Sequence, residues 1–168
     1  SELAYLLNSS DTTLLITQSS HEKKYREIEN KLSSCRSLYL TDAPGSAPDA
    51  AAATVQNDDS FAQIHPDDPA EIIFTSGLTG KPLGAMLTHG NLCAQLNMIQ
   101  PIFRRQPDDI GLCLIPLFRS FGATVNMLNV IQAGCCTVMM DRLTMDSLFS
   151  TIEREKITYI CAVPRLYI

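Results

Sequence analysis

Apolar and polar residues alternate along the chain in two ways, as short apolar runs and as stretches with helical spacing. The apolar runs predict strands at 14–17, 37–41, 72–74, 111–117, 135–140 and 157–163. Apolar residues three and four positions apart predict helices at 3–8, 21–34, 88–105, 120–132 and 145–156. The run at 111–117 is apolar throughout, which is typical of a strand buried on both faces of a parallel sheet. The chain is therefore predicted to be α/β, with a largely parallel sheet and helices on both faces.

The segment 43–70 interrupts this alternation, because it is rich in proline and alanine and has no apolar period. We expect a connector there, with one helical turn near Phe61. Its acidic pairs, Asp58-Asp59 and Asp67-Asp68, have no apolar framework around them, so we interpret them as exposed turn residues and not as a catalytic dyad. The chain is thus divided into a first βα portion at 1–42, the connector 43–70, and a second α/β portion at 71–168.

Composition limits the classes of protein that need to be considered. The chain has 168 residues, 45% of them hydrophobic, which suits one domain or one large subdomain. The net charge is −5 and no basic stripe is present, so nucleic acid is not an expected partner. No apolar run predicts a membrane span and no signal peptide opens the sequence, so we expect a cytoplasmic protein.

The six cysteines do not form a C-x-x-C pair, and most lie inside apolar runs. We expect small buried side chains in a reducing compartment. A zinc site with His21, His65 or His89 has no support from ligand spacing, so no metal-binding residue is predicted.

The most informative stretch is 72–89, IIFTSGLTGKPLGAMLTH. Its pattern predicts a short buried strand, then a loop rich in glycine and hydroxyl groups, then a helix that begins at Thr88 or His89. Glycines let the backbone approach a ligand closely, and successive N–H groups can form an anion site. Hydroxyl groups and Lys81 add donors and a positive charge, so the expected guest is a polyphosphate. The alternative is a flexible surface loop.

Two common phosphate motifs do not fit this stretch. The P-loop pattern requires serine or threonine after Gly80-Lys81, where Pro82 stands, and a glycine where Thr75 stands. The dinucleotide pattern fails because the three glycines have other spacings. In parallel sheets, ligands bind at the carboxyl ends of the strands. This loop and residues 118–120 both follow predicted strands, so we expect them to face one crevice.

The stretch resembles the phosphate-binding loop of the adenylate-forming enzymes, which include acyl-CoA synthetases, luciferases and peptide-synthetase adenylation domains. Ten residues match that pattern in register: Phe74, Thr75, Ser76, Gly77, Thr79, Gly80, Pro82, Gly84, Thr88 and His89. A second segment, PLFRSFG at 116–122, resembles the family's Pro-Leu-Phe-His-Ser-Phe-Gly. The stretches 3–17 and 157–167 also resemble family segments. The fatty-acid–CoA ligases are the subgroup that the chain resembles most.

This resemblance implies a two-step reaction in which a carboxylic acid and ATP give an acyl-adenylate and pyrophosphate, and coenzyme A then takes the acyl group. It implies ATP, CoA and Mg²⁺ as cofactors, with the metal ligands beyond position 168. The residues that would bind the nucleotide are Thr75, Ser76, Gly77, Thr79, Gly80, Lys81, Gly84 and Thr88. The residues that would border the acyl pocket are Phe118, Ser120, Phe121 and Gly122.

Three substitutions depart from the family pattern. Leu83 replaces the loop's second lysine, which removes a charge-assisted contact worth roughly 1.5–3 kcal/mol. Leu78 replaces a threonine. Arg119 replaces a histidine that in the family lies near the reacting carboxylate, and arginine does not act as an acid or base near neutral pH. Arg119 is thus a candidate catalytic position that either holds an anion or points to solvent.

The family's adenine-binding segment, magnesium site, ribose-binding aspartate and lid lysine would all lie beyond position 168. We therefore expect a piece of a larger ligase that is inactive alone, exposes apolar surface and self-associates. For the full protein, the resemblance also allows a peripheral membrane contact. Two other hypotheses stay open. One is a degenerate adenylate-former that binds nucleotide or acyl groups without turnover, and the other is an unrelated α/β domain whose loop is only structural.

Overall fold

A computed structural model describes residues 1–43, 63–75, 80–140 and 143–166. The chain forms two compact units, the first from Ser1–Gln63 and Phe74–Ala85 and the second from Ile64–Ile73 and Met86–Ile168. Parallel strand pairs with helices between them occur in both units, which confirms the α/β prediction. The connector 43–70 falls mostly outside the described residues, including Phe61 and the pair Asp58-Asp59. Its last residues, Pro69 and Ala70, already belong to a strand.

The first unit is built on helix α1 (Glu2–Ser9) and two parallel strands, β1 (Leu14–Thr17) and β2 (Ser37–Leu40). These three elements lie where the sequence predicts them. Their register pairs Leu15 with Leu38. The core of this unit consists of Ala4, Leu7, Tyr25, Ile28, Leu32 and Cys35.

The single amphipathic helix predicted at 21–34 is wrong. The segment contains a 3₁₀ turn (Ser19–His21), a short helix α2 (Glu22–Arg26) and a second 3₁₀ turn (Glu29–Lys31). The Asn8 side chain stabilises the break, since it donates to the Lys31 carbonyl at 2.9 Å and accepts from the Ser33 N–H at 2.9 Å. These backbone groups thereby gain partners that a continued helix would have supplied.

Strands β3 (Pro69–Thr75) and β4 (Leu83–Thr88) pair with each other, and the candidate loop connects them. Two predictions for this stretch are therefore wrong. The loop is followed by a strand and only then by a helix. Strand β3 is only partly buried, because Ile72 is 39% exposed while Ile73 and Phe74 are half-buried.

The second unit begins with helix α3 (His89–Phe103) and contains a sheet of three parallel strands. Thr88 is the N-cap of α3, as the sequence predicts. In the sheet, β5 (Ile110–Cys113) lies between β6 (Cys136–Met139) and β7 (Tyr159–Ile160). Leu112 is completely buried, which confirms that this strand is covered on both faces.

The predicted strands 111–117 and 157–163 are longer than the observed ones. Chain beyond Cys113 and Ile160 leaves the ladder and forms irregular segments at the carboxyl ends of β5 and β7. Both segments contain a proline, Pro116 and Pro164, and proline cannot donate to a strand ladder. Apolar composition alone therefore overestimated the strand lengths.

Between β5 and β6, the predicted helix at 120–132 is present but has two geometries. Residues Gly122–Leu128 form a π-helix, and α4 (Asn129–Ala133) continues it to Gly134, whose φ of 69° ends the helix as glycine readily does. Helix α5 (Met145–Glu155) joins β6 to β7 and is capped by Thr144, one of the two N-cap residues, Thr144 and Asp146, that the sequence predicts.

A cluster of side chains connects the end of α3 to the sheet. The ring of Tyr159 lies over Gly111, its partner in the β5–β7 register, and any Cβ at position 111 would collide with that ring. The guanidinium of the buried Arg105 lies 4.4 Å from the centre of the same ring. Burial raises the pKa of Tyr159, and the neighbouring Arg105 charge acts in the opposite direction.

The cysteines do not all behave as the sequence predicts. Cys35 and Cys113 are buried, but Cys93 and Cys136 are exposed. Among the described residues, no cluster of histidine, cysteine and carboxylate side chains has the geometry to hold a metal ion. No helix in the described ranges is both long enough and apolar enough to cross a membrane.

Candidate functional site

The candidate phosphate loop is described at its two ends. Ser76, Gly77, Leu78 and Thr79 lie outside the described residues. On the near side, the Thr75 hydroxyl donates to the Leu83 carbonyl at 3.3 Å. On the far side, Gly80 has a φ of 80°, a backbone conformation that glycine adopts without strain. The loop is thus closed at its base by Thr75 and turns sharply at Gly80.

Lys81 lines a cavity of about 480 Å³ in the first unit, together with Gly80, Pro82, Tyr5, Glu2 and Ser1. The Tyr5 hydroxyl donates to the Pro82 carbonyl at 3.1 Å and so ties helix α1 to the end of the loop. Lys81 is exposed and makes no ion pair with any carboxylate of the described ranges. Its ammonium group is therefore available to an anion in this cavity.

Two further predicted nucleotide-binding residues lie outside the loop itself. Gly84 is an exposed residue of β4, which corrects the expectation that it belongs to the loop. Thr88 accepts a hydrogen bond from the Asn91 N–H at 3.2 Å, and the Asn91 side chain accepts from the Thr88 N–H at 3.1 Å. The structure thus gives Thr88 a capping function at the start of α3.

The predicted acyl-pocket segment follows β5 and folds back on itself. The Arg119 N–H donates to the Pro116 carbonyl at 3.1 Å, and the Arg119 carbonyl accepts from the Ala123 N–H at 2.9 Å. Gly122 is buried directly against the Pro116 carbonyl, where a Cβ would clash. This close approach explains the glycine, because it lets the helix begin immediately behind the turn.

The side chains of this turn are presented to the surface. Phe118 is 74% exposed, and the Arg119 guanidinium lies 5.7 Å from the centre of its ring. Ser120 and Phe121 are also exposed. Because Lys81 belongs to the first unit and Arg119 to the second, a crevice shared by the two segments stays a prediction.

Two cavities lie on either side of the segment 114–116, at the carboxyl ends of the parallel strands. One, of about 330 Å³, is lined by that segment with Cys113, Leu117, Met139 and Met140. The other, of about 310 Å³, is lined by the same segment with Arg119, Val163, Arg165 and Leu166. This is the location at which ligands bind to sheets of this kind.

Sequence reasoning missed two arginines in the second unit. Arg105 is 4% exposed and donates from Nη1 to the Val125 carbonyl at 2.6 Å and to Asn129 Oδ1 at 2.7 Å. These bonds connect Arg105 to the π-helix through Val125 and to the first residue of α4 through Asn129. Arg165 lines the same cavity as Arg119. The sequence did contain a signal for Arg165, because this residue and Arg119 both lie within three residues after a proline just beyond a parallel strand.

Known proteins match this chain along almost its whole length. The model of a family described as AMP-binding enzyme matches residues 1–168. The 4-coumarate–CoA ligase 3 of Arabidopsis thaliana is 30% identical over 177 residues, which cover 99% of this chain and 31% of that protein. The chain therefore spans about a third of the length of this relative.

Two solved structures have a similar fold. ATP-bound MatB from Rhodopseudomonas palustris is 26% identical, with a TM-score of 0.78, over 98% of this chain and 32% of that one. The N-terminal domain of FACL13 from Mycobacterium tuberculosis has a TM-score of 0.83 over 98% of this chain and 41% of that one. At 20% identity, the second similarity concerns the fold alone.

Proposed function

The chain belongs to the AMP-binding enzyme family, and from this premise we propose that it forms the phosphate-binding part of an ATP-dependent acid–CoA ligase. The observation that carries the proposal is Lys81, an unpaired cation beside Gly80 on an open cavity at the end of the predicted phosphate loop. The ATP-bound relative with the same fold supports a nucleotide as the occupant. In the complete protein, the acid, ATP and CoA would be the reactants.

In the proposed reaction, a carboxylate oxygen of the acid forms a bond to the α-phosphorus of ATP, and the bond from that phosphorus to pyrophosphate breaks. The CoA thiol then displaces AMP from the acyl-adenylate. Lys81 would neutralise charge on the departing pyrophosphate, while the Thr75 hydroxyl and the turn at Gly80 would hold the loop in shape. These residues position and stabilise, and none of them forms a covalent intermediate.

For the acid, we propose a substrate with an apolar body, and the resemblance to fatty-acid–CoA ligases makes an aliphatic acid of the fatty-acid type, with one carboxylate or two, our first candidate. Support comes from the two cavities beside 114–116, whose walls are mainly leucine, isoleucine, proline, methionine and valine. The Arabidopsis relative, by its name, acts on 4-coumarate, which also has an apolar body. A cytoplasmic location and a peripheral membrane contact of the full protein belong to the same proposal.

A second function is a module that binds nucleotide or acyl groups without turnover. Leu83 and Arg119 favour it, because the first removes a cation from the loop and the second removes an acid–base side chain from the acyl segment. The two functions predict the same binding and differ only in catalysis.

The binding test is a titration of ATP or pyrophosphate into the 168-residue chain, observed by NMR at the amides of Gly80, Lys81 and Gly84. We expect shifts at Gly80 and Lys81, and Lys81→Gln should weaken pyrophosphate binding about fivefold, the effect of one exposed ion pair. Lys24→Gln, which removes an exposed lysine from α2, is the matched control and should change nothing. No shift at millimolar ligand would favour a purely structural loop.

The catalytic test is pyrophosphate–ATP exchange. We expect none from the 168-residue chain and a clear signal from a full-length protein that contains it. Exchange by the 168-residue chain alone would contradict our expectation that the adenine-binding segment, the magnesium site and the lid lysine lie in other segments of the protein. A full-length protein that binds ATP without exchange would establish the binding module instead.

A further inference from the structure

The cavity between the carboxyl ends of β5 and β7 contains two cations in apolar surroundings. Its apolar walls are Leu114, Ile115, Pro116, Val163 and Leu166. The remaining lining side chains are Arg119 and Arg165, which follow neighbouring parallel strands of one sheet. Both belong to the second unit, as do the other residues that line the cavity, so the cavity lies within one compact body.

Neither guanidinium has a carboxylate partner in the described part of the chain. The ion pairs there join Arg26 to Glu22 and Glu29, and Arg154 to Glu155. Among the described aromatic residues, Arg119 lies over the ring of Phe118, at 5.7 Å from the ring centre. Both arginines are exposed, so water and salt screen their mutual repulsion, but an anion that enters the cavity is attracted by both charges. A guanidinium is also the side chain best suited to bind a carboxylate with two parallel hydrogen bonds.

We propose that this cavity selects a dicarboxylic acid and that Arg165 is the residue that binds its second carboxylate. The inference rests on the proposed ligase function and extends it to a substrate class. Arg119 occupies the position that the family resemblance puts near the reacting carboxylate. Arg165 then supplies a separate cation, and the apolar walls between them contact the carbon chain of the acid.

A simple fatty acid fits the same cavity less well. It brings one negative charge to two guanidinium groups, and its methyl end would lie beside an unpaired cation. The size of the cavity, about 310 Å³, is at the lower end of the range for small-molecule sites. Both considerations favour a short chain with a carboxylate at each end.

The test compares adipate with hexanoate, which have the same number of carbon atoms and differ in the second carboxylate. Each is titrated into the 168-residue chain and followed by NMR at the methyl groups of Ile115, Val163 and Leu166. We expect adipate to bind about fivefold more tightly than hexanoate, the effect of one further exposed ion pair, and the advantage to shrink with added salt.

Three variants test which arginine causes the expected preference for adipate. Arg165→Gln should remove the preference for adipate and leave hexanoate binding unchanged, whereas Arg119→Gln should weaken both acids. Arg154→Gln is the control, because it removes an exposed arginine of α5 that faces Glu155 and should alter neither acid. Near-UV circular dichroism verifies that each variant retains the native packing.

Equal affinities for adipate and hexanoate in the unaltered chain would overturn the proposal. So would an Arg165→Gln variant that weakens AMP binding and leaves both acids unaffected, because Arg165 would then serve the nucleotide phosphate. The pyrophosphate titration at Gly80 and Lys81 distinguishes a failure of the dicarboxylate proposal from a failure of the proposed ligase function. If pyrophosphate binds and adipate has no advantage, only the dicarboxylate proposal fails.

Discussion

At the scale of single residues, Leu83 is the substitution with the clearest consequence. It stands where the family loop has a second lysine, and it is 57% exposed at the start of β4. A lysine there would meet no buried neighbour, so its charge could serve a ligand of the loop.

Because position 83 is exposed, a charge there is worth less than the roughly 1.5–3 kcal/mol of a charge-assisted contact. We expect Leu83→Lys to strengthen pyrophosphate binding about fivefold, since one additional exposed ion pair contributes up to about 1 kcal/mol. Isothermal titration at low and high salt measures the effect, which should decrease as salt rises. Leu83→Gln, which adds length without charge, is the control. An equal gain with glutamine would show that the charge is not responsible.

Asp109 is a second residue with a testable contribution. Its carboxylate accepts hydrogen bonds from the Gln106 N–H at 2.8 Å and from the Thr158 hydroxyl at 2.8 Å. Both bonds hold the pKa of Asp109 below its ordinary value of 3.8, and the bond from Gln106 has the larger effect. The ionised form of Asp109 is thus favoured in the folded chain. Its hydrogen bond with Thr158 joins the start of β5 to the start of β7.

A lowered pKa fixes the direction of the pH dependence. The stabilisation is fully present above the unfolded pKa, near 3.8, and is lost as the pH falls through the lower folded pKa. We expect Asp109→Asn to lower the urea midpoint at pH 6 and to flatten its decrease between pH 4 and pH 2. Asp67→Asn, at an exposed turn, is the control. An unchanged pH profile in Asp109→Asn would contradict this assignment.

The candidate site residues were chosen from short motifs. Gly80 matches the loop pattern, Lys81 lies beside it and Arg119 lies in the second family segment, and their part in ligand binding stays a prediction. Sequence reasoning missed Arg105, since a buried arginine held by the Val125 carbonyl and Asn129 has no local sequence pattern. Such a contact depends on which distant segments pack together, and spacing along one segment does not contain that information.

At the scale of elements, helix caps were predictable and element lengths were not. Thr88 and Thr144 both form capping boxes with the residue three positions later. The pattern that predicts them is local, and so is the interaction. Strand ends are different, because β5 and β7 stop where a neighbouring strand stops pairing, which depends on the sheet.

We expect Thr88→Ala to lower the free energy of unfolding by about 1 kcal/mol, the usual cost of removing a cap hydroxyl. Thr144→Ala should cost a similar amount in α5, because its hydroxyl accepts from the Ser147 N–H at 3.1 Å. Urea titration measures both. Thr88→Ser keeps the acceptor and should retain most of the stability, and a loss equal to that of alanine would contradict the capping interpretation.

In the segment 21–34, helical periodicity predicts the buried side chains but not the course of the backbone. Helical spacing placed Tyr25, Ile28 and Leu32 on one face correctly, and all three are buried. The backbone nevertheless breaks, because the Asn8 side chain offers hydrogen bonds to Lys31 and Ser33. Periodicity thus predicted which side chains reach the core and failed to predict the path of the chain between them.

At the scale of the whole molecule, apolar side chains remain uncovered on several elements. On α3, Met98 is 65% exposed and Ile102 is 76% exposed, and these residues stand one helical turn apart. Self-association of the chain stays a prediction, and this face offers a direct test of it, since adjacent exposed apolar residues favour contact with another surface.

We expect Ile102→Lys to reduce the mass measured by light scattering at high concentration, while the free energy of unfolding changes by less than about 0.5 kcal/mol. Gln95→Lys adds the same charge to an exposed polar position of α3 and should leave the association unchanged. A monomeric unaltered chain at high concentration would exclude self-association altogether.

Fold class was predictable at this scale, because a fully apolar run such as the one around Leu112 indicates burial on both faces. The division into two units was not. It passes through β3 and β4, each of which contributes residues to both units. Nothing in the local pattern marks such a division, since it is set by contacts between segments far apart in the sequence.

The glycine beneath the tyrosine ring has a consequence for how the sheet assembles. If β7 shifted by one position, the aromatic ring would meet Leu112 or Ile110, where a side chain already fills the space. Gly111 therefore leaves space for the ring of Tyr159 in one register of the two strands only. Misaligned pairings should be rejected while the chain is still folding, so the strands that border the cavity at the carboxyl ends of β5 and β7 are aligned by the fold itself.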